Sequence, residues 1–458
     1  MLYILTLFSV AFLVLNLVIA KLDFFDPSVI FCFMFLVYVI MCDISAQAFQ
    51  IHLSGMTVLT VLIGYSIATI INFCVRAKES EKHRLVEKHT ITEIRLPSWM
   101  YIVAICIELV TIIFFTKYLK MIADAWGSGG DSLSSMIGLY DTMTKFWTTT
   151  FEELAVPIPP LYRIGNPLTV AIGSLCVYIL ANNYVAIRKF ELLPAVCVAL
   201  WCVLIVLNGS RSPLLRVLTM FLILLYVFHY RKYGSHKIGA KNLLRLILVV
   251  LAFGAAMVLM LQTRGNKVSS GGLTTYLFTY IGAPIVNLDH VIKLNHFHAF
   301  GSFSNIFGEQ TIGNIYAYLA KILHLRAPSI PNLLIFNFST SGVEIGNVYT
   351  MYYALLYDFG YLGMIPMIVF MFCYYEGTYC RVTYVPQNRV VDFGLFIFSY
   401  LFNDIIMSAF SCRFFSTITD APFLKLLLFS WALDIFIIEK GLRVGRYHYL
   451  LSGSHDIG

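Results

Sequence analysis

The chain has 458 residues, 59% of them hydrophobic and 12% charged, with a mean hydropathy of +0.79. Water-soluble domains carry about 25% charged residues, so a soluble protein is excluded. The net charge of +7 then reads as loop asymmetry across a bilayer, not as a nucleic-acid footprint.

Taken in chain order, apolar runs long enough to cross hydrocarbon lie near 2–20, 28–46, 56–75, 98–118, 167–186, 192–208, 213–230, 243–262, 347–375, 391–409 and 422–439. The first begins at once and has no basic segment ahead of it, so it reads as a span and not as a cleaved signal. The expected fold class is all-α: one polytopic transmembrane domain, 1–458, with about eleven helices. The ten cysteines include no Cys-x-x-Cys pair, which argues against a zinc site or a disulfide framework. Most are expected to be small buried hydrophobes.

The connecting segments divide by charge. Lys21, the stretches 76–95, 188–189, 231–245 and 381–389, and the tail from Lys440 hold more than half of the 32 Lys and Arg residues. The positive-inside rule assigns this set to the cytoplasm. The N-terminus is then outside and the C-terminus inside. Two outer loops are long, 119–166 and 263–346, the second with short helices. Loops of such length are usually functional or disordered. Within the second, "YLFTYIGAPIVNLDHVIKL" (276–294) reads as a helix, a Gly-Ala-Pro break and a second helix, lying on the membrane or re-entering it.

Some polar residues need a reason. Arg211 sits between Ser210 and Ser212, after Asn208-Gly209, at the outer end of the sixth span. An arginine there either snorkels to headgroups or serves function. A turn at Gly209 with hydroxyls beside a planar cation suits a bidentate grip on phosphate. Arg264, with Lys267 close by, ends the eighth span, and Arg413 follows the tenth, so three arginines are placed to converge on one anion. The loop 263–346 also holds Asp289-His290, His296, His298, Glu309, His324 and Glu344, any of which can accept a proton. Glu344 and Asp289 rank first. Glu108, midway along the fourth span, is expected to pair with a neighbouring helix in a structural role. In "EIGNVYTMYYALLYDFGYLG" (344–363), Tyr349, Tyr352, Tyr353 and Tyr357 recur at roughly helical spacing. Such rings stack on sugars or form an interfacial belt.

Gly209-Ser210-Arg211-Ser212, Arg264-Gly265, Gly346-Asn347 with Tyr349-Thr350, and Asp358-Phe359-Gly360 with Gly363 together carry a resemblance. Over most of its length the chain resembles the oligosaccharide repeat-unit polymerases, the Wzy-type O-antigen and capsule polymerases of bacterial envelopes. The resemblance implies a glycosyltransferase of the GT-C type at the outer face of the inner membrane. Such an enzyme moves a growing glycan from undecaprenyl diphosphate to the non-reducing end of a new lipid-linked repeat unit. It further implies that Arg211, Arg264, Arg413, Ser210 and Ser212 hold the diphosphate and that Glu344, Asp289 or His290 acts on the acceptor hydroxyl. Asn347, Tyr349 and Tyr353 would contact sugar. No cofactor is expected. No metal is expected either, because the metal-using branch of the fold places an acid in the first outer loop, whereas "FQIHLSG" has none, although Asp43 is close. Implied partners are membrane lipid, a chain-length regulator and a flippase, with no nucleic acid. Two rivals stand beside this reading. One is an O-antigen ligase. The other is a transporter or flippase of lipid-linked sugars, which would show broken helices at mid-membrane and binding groups at both leaflets.

Overall fold

In hydrocarbon a backbone must satisfy its own N–H and C=O groups, and a helix does so within one segment. The computed structural model describes residues 1–82, 91–130, 132–145, 147–210, 212–234, 277–294, 307–325, 336–340, 342–384, 389–439, 443–444 and 447–448. Its helices are α1 (Leu2–Ile19), α2 (Pro27–Phe49), α3 (Gly55–Lys82), α4 (Ser98–Trp126), α5 (Leu133–Lys145), α6 (Thr148–Glu153), α7 (Pro160–Ile187), α8 (Leu192–Leu207), α9 (Ser212–Tyr233), α10 (Ala283–Leu294), α11 (Gly313–Ile322), α12 (Met351–Tyr384), α13 (Phe393–Ile406), α14 (Arg413–Ile418) and α15 (Ala421–Leu433). A short hairpin, β1 (Asn337–Phe338) and β2 (Glu344–Gly346), precedes α12. Eight of the described helices are long and apolar enough to cross a membrane: α1–α4, α7, α9, α12, and α15 continued to Ile438. The expected spans 192–208 and 391–409 appear as shorter apolar helices, and 243–262 lies outside the described residues. The chain is an all-α, multi-pass membrane protein.

Two expectations need correction. The segment 119–166 is not one long loop. Helix α4 runs on to Trp126 because Leu119, Ile122 and Ala123 remain buried, and it stops at Gly127, whose φ of 85° suits glycine. Helices α5 and α6 fill the middle, and α7 begins early at Pro160, where proline is favoured. Nor does Gly-Ala-Pro break the helix at 282–284. A π-helical turn, Phe278–Gly282, passes directly into α10, so the chain stays helical through Pro284 although proline brings no N–H donor.

The described chain forms two compact units. Unit 1 comprises Met1–Glu87, Val268–Pro386 and Leu401–Phe423. In it α3 packs along α12 and α1, and α2 along α1. Phe31, Phe35, Tyr65, Tyr352 and Phe372 form its aromatic core, with Phe31 edge-on to Phe372 at 5.0 Å and Phe35 at 5.5 Å from Tyr352. Gly64 permits this packing, because the Tyr352 hydroxyl lies 1.9 Å from where a Cβ would stand.

Unit 2 comprises Lys88–Lys267, Gln387–Tyr400 and Leu424–Gly458. Its α7 is heavily buried and packs against α4, α8 and α9. Gly173 of α7 lies against the Trp201 indole. Lys232 Nζ donates to the carbonyls of Val185 and Ala186 at 2.6 and 2.9 Å, a cation on the negative end of a helix. Arg231 and Asp392 form a buried ion pair at 2.6 Å.

Candidate functional site

The polar chemistry of unit 1 collects where α12 is interrupted. Gly360 adopts φ 63° and ψ −173°, a region essentially reserved for glycine. Two residues earlier, Asp358 is fully buried. Its carboxylate accepts the Gln310 amide at 3.0 Å on both oxygens, the Thr311 amide at 2.8 Å and the Thr311 hydroxyl at 2.7 Å. Charge-assisted bonds of this kind are worth about 1.5–3 kcal/mol each, so Asp358 pins the turn at 307–312 to the interrupted helix.

That turn carries Glu309, which is also buried and accepts from Gln310 Nε2 at 3.4 Å. Glu309 and Asp358 both lie within electrostatic reach of Tyr353 and Tyr357. Phe307 packs edge-on to Phe359 at 5.1 Å. The Tyr318 hydroxyl donates to Asp420 at 3.0 Å and accepts the Ala421 amide at 2.9 Å, which ties α11 to the start of α15. Arg413 is exposed at the start of α14, and its Nε donates to the Ser411 hydroxyl at 3.0 Å. Its neighbour Cys412 feels the charges of both Asp358 and Arg413. One end of unit 1 therefore gathers two buried carboxylates, a run of tyrosines and an arginine. Asp358 is saturated by donors and acts as a clamp. Glu309 is less tightly held, since its bond from Gln310 Nε2 is long.

No family model, no curated protein and no solved structure matches this chain.

The residues selected from sequence fall in several places. Asp289 is buried but spoken for: its Oδ1 accepts the Ser54 amide and the Thr57 hydroxyl, both at 2.7 Å, and its Oδ2 pairs with Lys293 at 2.6 Å. These bonds tie α10 to the start of α3. His290 and Glu344 are exposed. Tyr349 and Tyr353 are buried and stacked on each other at 4.5 Å, so their faces are largely spent on packing. Asn337 Nδ2 donates to the Tyr349 hydroxyl at 2.8 Å, and Asn287 Nδ2 to the Val348 carbonyl at 2.8 Å, which fixes the backbone around Asn347. Ser210 and Ser212 are half-buried in unit 2, at a turn where Gly209 has φ 77° and the Asp141 side chain lies against it. Arg211, Arg264, Lys267, His296 and His298 lie outside the described residues. Glu108 is fully buried, and neither carboxylate oxygen has a hydrogen-bond partner among the described residues, contrary to the expected pairing.

A second charged cluster lies at the other end of the unit 1 helices. Arg76 pairs with Asp26 at 2.7 Å and Asp23 at 3.2 Å and donates to the Tyr384 hydroxyl at 2.7 Å. The Tyr379 hydroxyl donates to Asp23 at 2.7 Å, Asn72 to Asp26 at 3.1 Å, and the Ser28 amide to Glu376 at 2.9 Å. Burial pushes Asp26 up to about 6 against the pull of Arg76. None of these residues was singled out from sequence. Glu376, directly at the end of the apolar run 347–375, was the available signal.

Proposed function

We propose that this protein polymerises lipid-linked oligosaccharide repeat units at the outer face of a bacterial inner membrane. The observation that carries the reading is the grouping of buried Glu309, the tyrosines and Arg413 with the Asp358 clamp at the helix interruption, where Asp358 and Gly360 belong to a stretch that bears the resemblance. The bond between the terminal sugar and undecaprenyl diphosphate breaks. A hydroxyl at the non-reducing end of the incoming unit forms the new glycosidic bond. Its proton passes to Glu309, and the charge left on the diphosphate is met by Arg413. A positioned base contributes roughly 10²–10⁴-fold, and fixed cations meeting a leaving group add several kcal/mol. The test is turnover of a purified undecaprenyl-diphosphate-linked repeat unit by purified protein, with and without chelator. A ladder of products that survives chelation is expected; single units alone sink the proposal. Gene deletion separates a ligase from a polymerase. Loss of a ligase leaves long chains on the carrier, and loss of a polymerase leaves single units.

Two observations favour a second reading, a transporter of lipid-linked sugars. Helix α12 is interrupted at Gly360, and buried charge occupies both ends of unit 1. Discontinuous helices and two-sided polar groups are transporter features. The same turnover assay decides, because a transporter builds no ladder.

A further inference from the structure

Unit 2 holds an open pocket of about 220 Å³ between the end of α4 and the α5 region. Trp126 and Trp147 form one side, with ring centroids 5.8 Å apart and planes tilted by 37°. Both indoles are almost half exposed. They stand apart from the buried aromatic cluster nearby, where Phe115, Tyr118 and Tyr162 stack against one another. Ser128, Ser135 and Thr142 supply hydroxyls to the lining. The Ser128 hydroxyl donates to the Ala123 carbonyl at 3.3 Å and that of Thr142 to the Gly138 carbonyl at 2.9 Å. With their protons so used, these oxygens keep acceptor lone pairs. Gly138 lines the pocket too, and a Cβ there would meet nothing within 4 Å. No charged side chain lines the pocket among the described residues.

We infer that this pocket binds one neutral sugar ring of the glycan. Half-exposed indoles offer flat apolar faces, and a pyranose has an apolar face of C–H bonds with hydroxyl donors around its rim. The hydroxyl oxygens accept from those donors. The absence of a cation in the described lining disfavours a phosphate headgroup, which needs charge-assisted partners. The volume lies below the roughly 300–1,000 Å³ of drug-sized ligand pockets, which fits a single ring. Helix α4, at 29 residues, is longer than the roughly 20 residues that cross hydrocarbon, so Trp126 at its end has length to reach past the acyl chains.

The inference rests on the proposed ligand class but not on the proposed reaction. Its test is saturation-transfer NMR on purified protein in nanodiscs, titrated with glucose, galactose, N-acetylglucosamine, N-acetylgalactosamine and glucuronic acid. Saturable transfer is expected from at least one neutral sugar, with the charged sugar at least tenfold weaker. Trp147→Ala should weaken binding tenfold or more. Gly138→Phe should do the same by filling the pocket, with both variants melting at the wild-type temperature. No saturable signal from any neutral sugar overturns the inference, as does undiminished binding to both variants. Binding without any product ladder would leave the pocket standing and remove the polymerase. A ladder without binding would do the reverse.

Discussion

The two ends of unit 1 hold their carboxylates in different ways. At the Arg76 end, Asp23, Asp26 and Glu376 are gripped by side chains and helix-start amides belonging to α2, α3 and α12. At the Gly360 end, Asp358 is gripped by the backbone of a turn that carries a second acid, Glu309. A carboxylate fixed by a guanidinium from a neighbouring helix fastens helices. A carboxylate fixed by loop amides fixes the loop, and so positions whatever the loop carries. The first arrangement suits stability and the second suits chemistry.

The largest effect should come from the fastening end. Arg76→Ala leaves buried carboxylates unpaired, a loss of about 3–5 kcal/mol. Little folded protein should then accumulate in membranes, as judged by fluorescence-detected size exclusion. Normal accumulation of this variant would erase the contrast between the ends. Next comes Glu309→Gln, which preserves shape. Its membrane level and melting should match wild type while turnover of the lipid-linked unit falls by roughly 10²–10⁴-fold. A variant that still builds the full ladder returns the role of base to another residue.

Arg413→Ala and Arg211→Ala should each slow turnover about tenfold or more, from lost bonds to a charged group worth about 1.5–3 kcal/mol. Lysine should restore charge but not the two-pronged grip. Full activity of Arg211→Ala would mark that arginine as a membrane anchor. The smallest effect concerns pH. Asp26 has a folded value of about 6 against an ordinary 3.8, so the unfolded chain releases its proton first. Its contribution to stability is complete below about pH 4 and declines as pH rises through about 6. Wild-type protein should therefore lose melting temperature relative to Asp26→Asn over that window. A constant gap would show that Arg76 keeps Asp26 ionised throughout.

Hydropathy made eight of the spans legible because each carries a long, mostly apolar run. Helix ends were less legible, because packing carries α4 on to Trp126 and α12 on to Tyr384. The site was half legible. Asp358 stood out as part of a motif, but its partners lie 47 and 48 positions away, and spacing cannot find them. Asp289 ranks first beside Glu344 by sequence, and Lys293, four residues on, forms an ion pair with it on one helix face. Glu344 was ranked on its closeness in sequence to the tyrosine run, but a hairpin leaves it exposed.

Unit 1 is built from segments between which most of unit 2 is threaded. Ser28 must wait for Glu376, 348 positions later. At about 5–20 residues per second, that interval is roughly 20–70 s. Throughout it α1–α3 sit in or near the insertion machinery with Asp23, Asp26 and Arg76 but without Tyr379 or Glu376. An early truncation would expose those half-neutralised charges to lipid and offer a mark for quality-control proteases. Nascent chains stopped before α12 should therefore be short-lived, whatever reaction the finished protein performs.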